Sequence, residues 1–368
     1  MTSPMKSGPT MGAADLTGLT DAVRPTFGEL VSRGLRVQAF QILLVLLAIS
    51  LVFSLLAPEA FPTWTNWRLV IQNVSILVVL GIGMTFVIIT AGIDLSIGSV
   101  LVFSGVVSAI AMRSLGGEGW GVAIVGIVVS VIVGTTWGLI NGWLVAKAKV
   151  PPLIATLGTL GAALGLAQVL TGGIDITSVP PVLVDSVGYG NVFGTTLPII
   201  SVIALIFAVT FAIVLHRTRF GLYTYAIGSN EEAARRVGVR VDRHLILVYG
   251  LAGGLAGVAG ILSLSQFSTT AIGGQSTTNL NVIAAVVIGG TSLFGGIGTI
   301  FGSMVGLFIP AVLQNGFVII GVQAFWQQVA VGVVLVVAVY VDQRRRAAAT
   351  RGSGSSKASM LKQLFRRK

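Results

Sequence analysis

Apolar residues in this chain come in long blocks instead of alternating or helix-period faces. Ten segments read as nearly unbroken apolar runs: 38–57, 68–90, 96–112, 121–145, 152–171, 197–215, 245–265, 279–292, 296–319 and 323–341. A helix crossing the hydrocarbon core of a bilayer needs about 20 predominantly apolar residues. The pattern therefore predicts an all-α polytopic membrane protein with about ten transmembrane helices. The third and eighth runs are short, and only Ser292-Leu293-Phe294-Gly295 separates the eighth from the ninth, so nine or eleven spans also fit.

Composition closes off a soluble alternative. The chain is 10% charged and 54% hydrophobic, against about 25% charged residues in a soluble domain. No Asp, Glu, Lys or Arg occurs between His244 and Asp342. The net charge of +11 does not point to nucleic acid, because the basic residues lie in tails and loops between apolar spans with no aromatic–basic stacking motif. With the N-terminus placed in the cytoplasm, the tails and the internal connections 146–151 and 216–244 hold 21 of the 23 Lys and Arg residues, as the positive-inside rule requires. Arg68 and Arg113 sit at span ends, where long side chains reach the headgroups. Both termini are then cytoplasmic. The expected organisation is a polar N-terminal tail (1–37), a transmembrane domain (38–342) and a basic, disordered cytoplasmic tail (343–368). There is no cysteine, which excludes disulfides and thiolate metal sites.

Smaller signals add detail. Trp64 and Trp67 in the outer loop 58–67 read as interfacial anchors. Gly134, Gly138 and Gly142, and likewise Gly298, Gly302 and Gly306, recur every four residues, a spacing that lets helix backbones approach closely. Segment 216–244 is the longest internal loop. Within it Ser229 and Glu232 form a capping-box pattern. Glu231 and Glu232 then fall in a first turn, Arg235 and Arg236 in a last turn, and Gly238 at a C′ stop. A helix of about two turns is predicted, too short to be stable unless it packs on something.

Asp94 is the only acid inside the apolar regions, in Gly92-Ile93-Asp94-Leu95-Ser96-Ile97-Gly98. Two readings stand side by side: a broken helix lining a path through the membrane, or a side-chain cap at the cytoplasmic start of the third span. Gln275, Asn281, Asn315, Gln327 and Gln328 are further polar residues in the late spans, suited to neutral polyols or to interhelical hydrogen bonds.

Three stretches carry a resemblance. Glu232-Ala233-Ala234 with Gly238, preceded by Gly221-Leu222-Tyr223-Thr224-Tyr225-Ala226-Ile227-Gly228-Ser229-Asn230-Glu231, resembles the coupling loop of ABC importer permeases of the ribose/xylose/arabinose branch. Segments 83–99 and 289–299 are similar to signatures of the same branch, and the likeness covers roughly 38–342. It implies a type II importer-like permease in a bacterial plasma (inner) membrane, working as a homodimer. The implied partners are a separate ATP-binding subunit and an extracytoplasmic sugar-binding protein. Ser229, Asn230, Glu231, Glu232, Ala233, Ala234, Arg235 and Gly238 would engage the ATPase subunit. Asp94, Ser96, Gln275 and Asn281 are the candidates for the translocation path.

No phosphate-binding loop ending in Gly-Lys-Ser or Gly-Lys-Thr is present. ATP is therefore expected on the partner, with no cofactor, metal or enzymatic activity in this chain. His216 and His244 border the 216–244 loop and read as exposed residues beside an interface, not as a metal pair. The alternative is a stand-alone ion-coupled secondary transporter, which would need more buried acids than Asp94 supplies.

Overall fold

The computed structural model describes residues 38–323 except 193 and 274–276, and beyond them 326, 329, 332–333, 336–337 and 340. Among these residues every regular element is helical, apart from one isolated bridge between Asn191 and Pro198. The principal helices are α1 (Gln38–Leu56), α2 (Trp64–Ile89), α3 (Ile97–Leu115), α4 (Trp120–Ala146), α5 (Pro152–Thr171), α6 (Ile199–Arg217), α7 (Arg219–Ser229), α8 (Glu231–Arg236), α9 (Val241–Phe267), α10 (Thr278–Ile288) and α11 (Ile300–Ile319). Seven of them, α2–α6, α9 and α11, are long and apolar enough to cross a membrane, while Phe40–Leu56 and Thr278–Ile288 are shorter apolar helices. The first nine apolar runs thus all became helices. The tenth, 323–341, lies mostly outside the described residues, as do both tails and Gln275, Gln327 and Gln328.

Local chemistry sets the ends. Thr63 caps α2 through the Asn66 amide, Thr299 caps α11 through Gly302, and Pro152 opens α5 at a position where no amide partner is lost. α2 stops at Ile89 because Ala91 turns to φ 60°, a left-handed conformation the helix cannot continue through. The loop from Thr90 to Ser96 then breaks the path between α2 and α3.

α2 and α9 form the centre of the bundle, with α3, α4 and α11 packed around them; α5 and α6 lie at the periphery and keep most of their surface outward. The α4–α9 crossing rests on glycine. A Cβ built on Gly138 would stand 2.2 Å from the Tyr249 carbonyl oxygen, and one on Gly134 2.3 Å from that of Gly253. The Ser130 hydroxyl donates to Gly257 O across the same seam (2.8 Å). Gly302 and Gly306 bring α11 against Gly289 and Ala285 in the same way. Gly298 does not belong to that ladder, since it precedes α11 and packs against Thr291 and Ile89.

Candidate functional site

The loop 216–244 is more structured than its sequence announces. Thr218 caps α7 through the Gly221 amide, and α7 runs eleven residues to Ser229. The capping box does not form. Ser229 closes α7, and Asn230, extended at φ −163°, is the true N-cap of α8, its Oδ1 accepting from the Ala233 amide at 2.9 Å. Asn230 can therefore end one helix and start the next, which a capping Ser229 could not do while still in α7. The far end of α8 is as expected. Gly238 takes φ 88°, its amide donates to Arg235 O, and the Val239 amide donates to Ala234 O, both at 3.1 Å. That is a Schellman closure around a C′ glycine.

α8 is a six-residue helix held by two kinds of contact. Ala234 is buried in a small apolar cluster with Ala146, Ile227, Val241 and Leu245. Arg235 donates to Glu231 (3.1 Å) and to Asp242 (2.8 Å), and Asp242 also receives Lys147 (3.5 Å) and Lys149 (3.4 Å) from the α4–α5 connection. The Asp242 carboxylate beside it raises the Arg235 guanidinium pKa above its ordinary value. With Ala234 turned inward and Arg235 reaching across the surface to Asp242, Glu232, Ala233, Arg236 and Val237 remain exposed, Val237 at 81%. Arg236 pairs with Glu232 along that face. His244 is not exposed: it is buried, 2.9 Å from the Thr224 hydroxyl and packed at a tilt against Phe220 (4.6 Å between centroids), fastening α7 to α9. His216 is exposed and bonded only to Ala212 O of its own helix. Among the described residues no three His, Asp or Glu side chains come together to hold a metal.

α7 leads from this face into the bundle. Gly228 abuts the end of α2 so closely that a Cβ would lie 1.7 Å from Ile89 O. That same carbonyl accepts from the Gly296 amide at 2.8 Å. Gly295 and Gly296, at φ 81° and 74°, pack on Ala91, Gly228 and Ser229. One turn earlier the Tyr225 hydroxyl donates to Gly298 O at 2.6 Å, and its half-buried position pushes its pKa up. Three stretches far apart in sequence, 83–99, 219–238 and 289–299, thus meet at the carbonyl of one residue.

Beyond this node lies Asp94, 1% exposed. Its Oδ1 accepts from the Ser96 amide (2.8 Å) and the Ser96 hydroxyl (2.6 Å). The Asn141 amide of α4 donates to that hydroxyl (2.8 Å), and the Gly98 amide donates to Asn279 of α10. A Cβ on Gly92 would meet the Tyr249 hydroxyl at 2.6 Å. Tyr249 stands eight residues from Val241, about 12 Å along α9 at 1.5 Å per residue, so the loop enters well below the α7–α8 surface. The helix is broken at depth, and Asp94 holds the turn ahead of α3 through Ser96, while the first-turn Gly98 amide is met by Asn279 and not by Asp94. Ser96 is fully buried with it.

Two large cavities open on the bundle. One, of about 610 Å³, lies between α4, α6 and α9 and is lined by apolar side chains such as Val131, Leu139, Phe207, Phe211 and Leu247. The other, of about 520 Å³, is at the end of α2 away from Ile89, between α2, α10 and α11. Asn73, Thr277, Asn281, Gln314 and Asn315 line it together with aliphatic residues. Asn281 is thus on a cavity wall; Asp94 and Ser96 are not among its lining residues.

Comparison with known proteins decides the family. Residues 68–339 match the family described as branched-chain amino acid transport system, permease component. The chain belongs to this permease family. It is 36% identical over 307 residues to the ribose import permease protein RbsC of Escherichia coli K12, covering 83% of this chain and 93% of the relative. Identity to the Bacillus subtilis RbsC is 38% over 304 residues (81% and 90%). Identity to the D-allose transport system permease AlsC of E. coli is 35% over 301 residues (81% and 90%). No solved structure matches it.

In this permease several residues matter that sequence reading passed over. Asp242 looked like one more loop charge, and nothing in its neighbourhood marks it as the meeting point of three cations. Gly228 and Gly296 lay inside the motifs, but their pairing joins two different motifs across an intervening membrane helix. Asn141, Asn73 and Gln314 gave no local signal beyond being polar in an apolar run, a signal strong enough to find all three had it been applied to every span.

Proposed function

We propose that this permease is the membrane subunit of an ATP-driven ABC importer for a monosaccharide, seated in a bacterial plasma (inner) membrane with the α7–α8 end facing the cytoplasm. It works as a homodimer, receives sugar from an extracytoplasmic binding protein, and couples to separate ATP-binding subunits through Glu232, Ala233, Arg236 and Val237 on α8. The observation that carries this reading is the likeness, over four fifths of the chain, to permeases named for ribose and allose. The family description names branched-chain amino acids, but the individual relatives resemble the chain across almost their whole length and are named for sugars. Ser229, Asn230, Glu231, Ala234, Arg235 and Gly238 build and seat α8 so that its outer face is presented. Asp94 and Ser96 hold the break between α2 and α3; Asn281, and Gln275 beside it in sequence, belong to the path.

The test is uptake in proteoliposomes carrying the permease with its ATP-binding subunit and binding protein. Sugar uptake that requires both partners and hydrolysable ATP is expected. Uptake driven by an ion gradient with the ATP-binding subunit left out would replace this reading by a secondary transporter. Glu232→Lys, which reverses an exposed charge without touching the buried seat of α8, is expected to leave insertion and thermal stability intact while separating ATP hydrolysis from transport.

A further inference from the structure

Of the two large cavities, one is lined as a lipid groove is lined and the other is not. Where apolar side chains face hydrocarbon nothing is lost. Four side-chain amides on one wall are different, because each transferred amide without a hydrogen-bonding partner is costly in an apolar medium. Asn73, Asn281, Gln314 and Asn315 come from α2 and from the consecutive helices α10 and α11, which meet α2 from the other end of the sequence. Two amide oxygens packed behind or beside this wall, on Asn315 and on Gln266 (a neighbour of the lining residue Phe267), lack a donor among the described residues. Asn315 donates through Nδ2 to Asn66 Oδ1 (2.9 Å), while its own buried Oδ1 accepts nothing. Gln266 donates through Nε2 to Asn73 Oδ1 (2.6 Å), and its buried Oε1 is likewise without a donor. Buried amide oxygens ordinarily have partners.

The wall carries no formal charge, and there is none anywhere in residues 245–341. A charged solute would find no counter-ion here. A neutral solute rich in hydroxyls fits better: each hydroxyl can donate to a side-chain amide oxygen and accept from an amide NH₂, such as those of Asn281 and Gln314. The aliphatic remainder of the wall, Leu69, Ile76 and Val318 among it, suits the C–H faces of a sugar ring. The volume of about 520 Å³ falls within the range of small-molecule sites, about 300–1,000 Å³.

We propose that this cavity is a polyol subsite of the permease itself, where the amides of Asn73, Asn281, Gln314 and Asn315 hold a monosaccharide in transit on the side of the membrane away from α7–α8. The proposal rests on the importer reading above and assigns a location within it. Loss of one amide removes one hydrogen bond and lowers sugar delivered per ATP by about two- to tenfold, while ATP hydrolysis stimulated by the loaded binding protein is retained.

The absence of cysteine from the chain makes a direct test available. Asn281→Cys and Gln314→Cys variants, each in the complete complex in proteoliposomes, are labelled with a small methanethiosulfonate reagent, with and without D-ribose or D-allose during turnover. A Phe207→Cys variant in the apolar groove is the control. Slower labelling with sugar at positions 281 and 314 but not 207 is expected, as is loss of transport once either is labelled. Equal labelling rates with and without sugar, in a complex whose wild type imports that sugar, overturn the cavity assignment alone. No sugar uptake by the wild-type complex overturns the importer reading and this proposal with it. Gln314 is exposed, so its variant remains informative should Asn281→Cys impair assembly.

Discussion

Asp242 gathers Lys147, Lys149 and Arg235 at the first turn of α9. Each cation is about half exposed, so solvent and salt screen every pair and none adds much to stability. Its worth lies in position, because one carboxylate ties the α4–α5 connection, α8 and α9 together. Asp242→Asn is expected to shift the thermal midpoint by a few degrees at most, yet to lower sugar transported per ATP several-fold. Raising the salt concentration should push the wild type in the same direction through screening. A transport-to-hydrolysis ratio identical in variant and wild type would show that the cluster is only surface decoration. Gly228 is a steeper case. Its Cβ position collides with backbone, the Ile89 carbonyl, and backbone cannot swing aside as a side chain can. Gly228→Ala is expected to separate ATP hydrolysis from transport, read in the same vesicles, because the seat of α7 on α2 must open.

At the level of elements, the helices were legible because lipid demands long apolar runs, and such runs are visible without any knowledge of packing. Boundaries fell within a few residues for α2 through α6. What escaped was anything set by contact. α7 has a weakly amphipathic sequence and forms because Thr224 and Tyr225 find His244 and Gly298 O. Ser–x–x–Glu points to Ser229 as the cap; the chain uses the adjacent Asn230, an equally good cap, leaving Ser229 free to finish α7. The glycine ladder in α4 was legible as a contact, but not its partner. Gly138→Val, whose added carbons would meet Tyr249 O, is expected to lower stability by more than the 1–3 kcal/mol or so typical of overpacking and to cut the yield of folded protein. Gly158→Val on α5, where no atom lies within 4 Å, should leave thermal unfolding of the detergent-solubilised chain within a degree or two. Equal damage from both would mean that the α4–α9 seam is looser than described.

For the whole molecule, the amphipathic division lies along the membrane normal. One end carries α7, α8 and the Asp242 cluster, and the other the amide-lined cavity. The Cys-free chain allows the sidedness to be read directly. In intact cells, Leu222→Cys should resist a membrane-impermeant thiol reagent that labels Trp64→Cys, since the two lie at opposite ends; the reverse pattern would invert the topology. At the α7 end the Ile89 carbonyl meets Gly228 of α7 and the Gly296 amide, at the start of the broken loop that leads to Asp94. The uncharged stretch from 245 to 341 has an electrical consequence. Moving one elementary charge across a membrane at 100 mV involves about 2.3 kcal/mol of work. A neutral solute passing an uncharged wall does none of it, so the import rate at fixed ATP should be flat against imposed voltage, leaving the cell free to collapse or reverse its membrane potential without starving itself of sugar through this route.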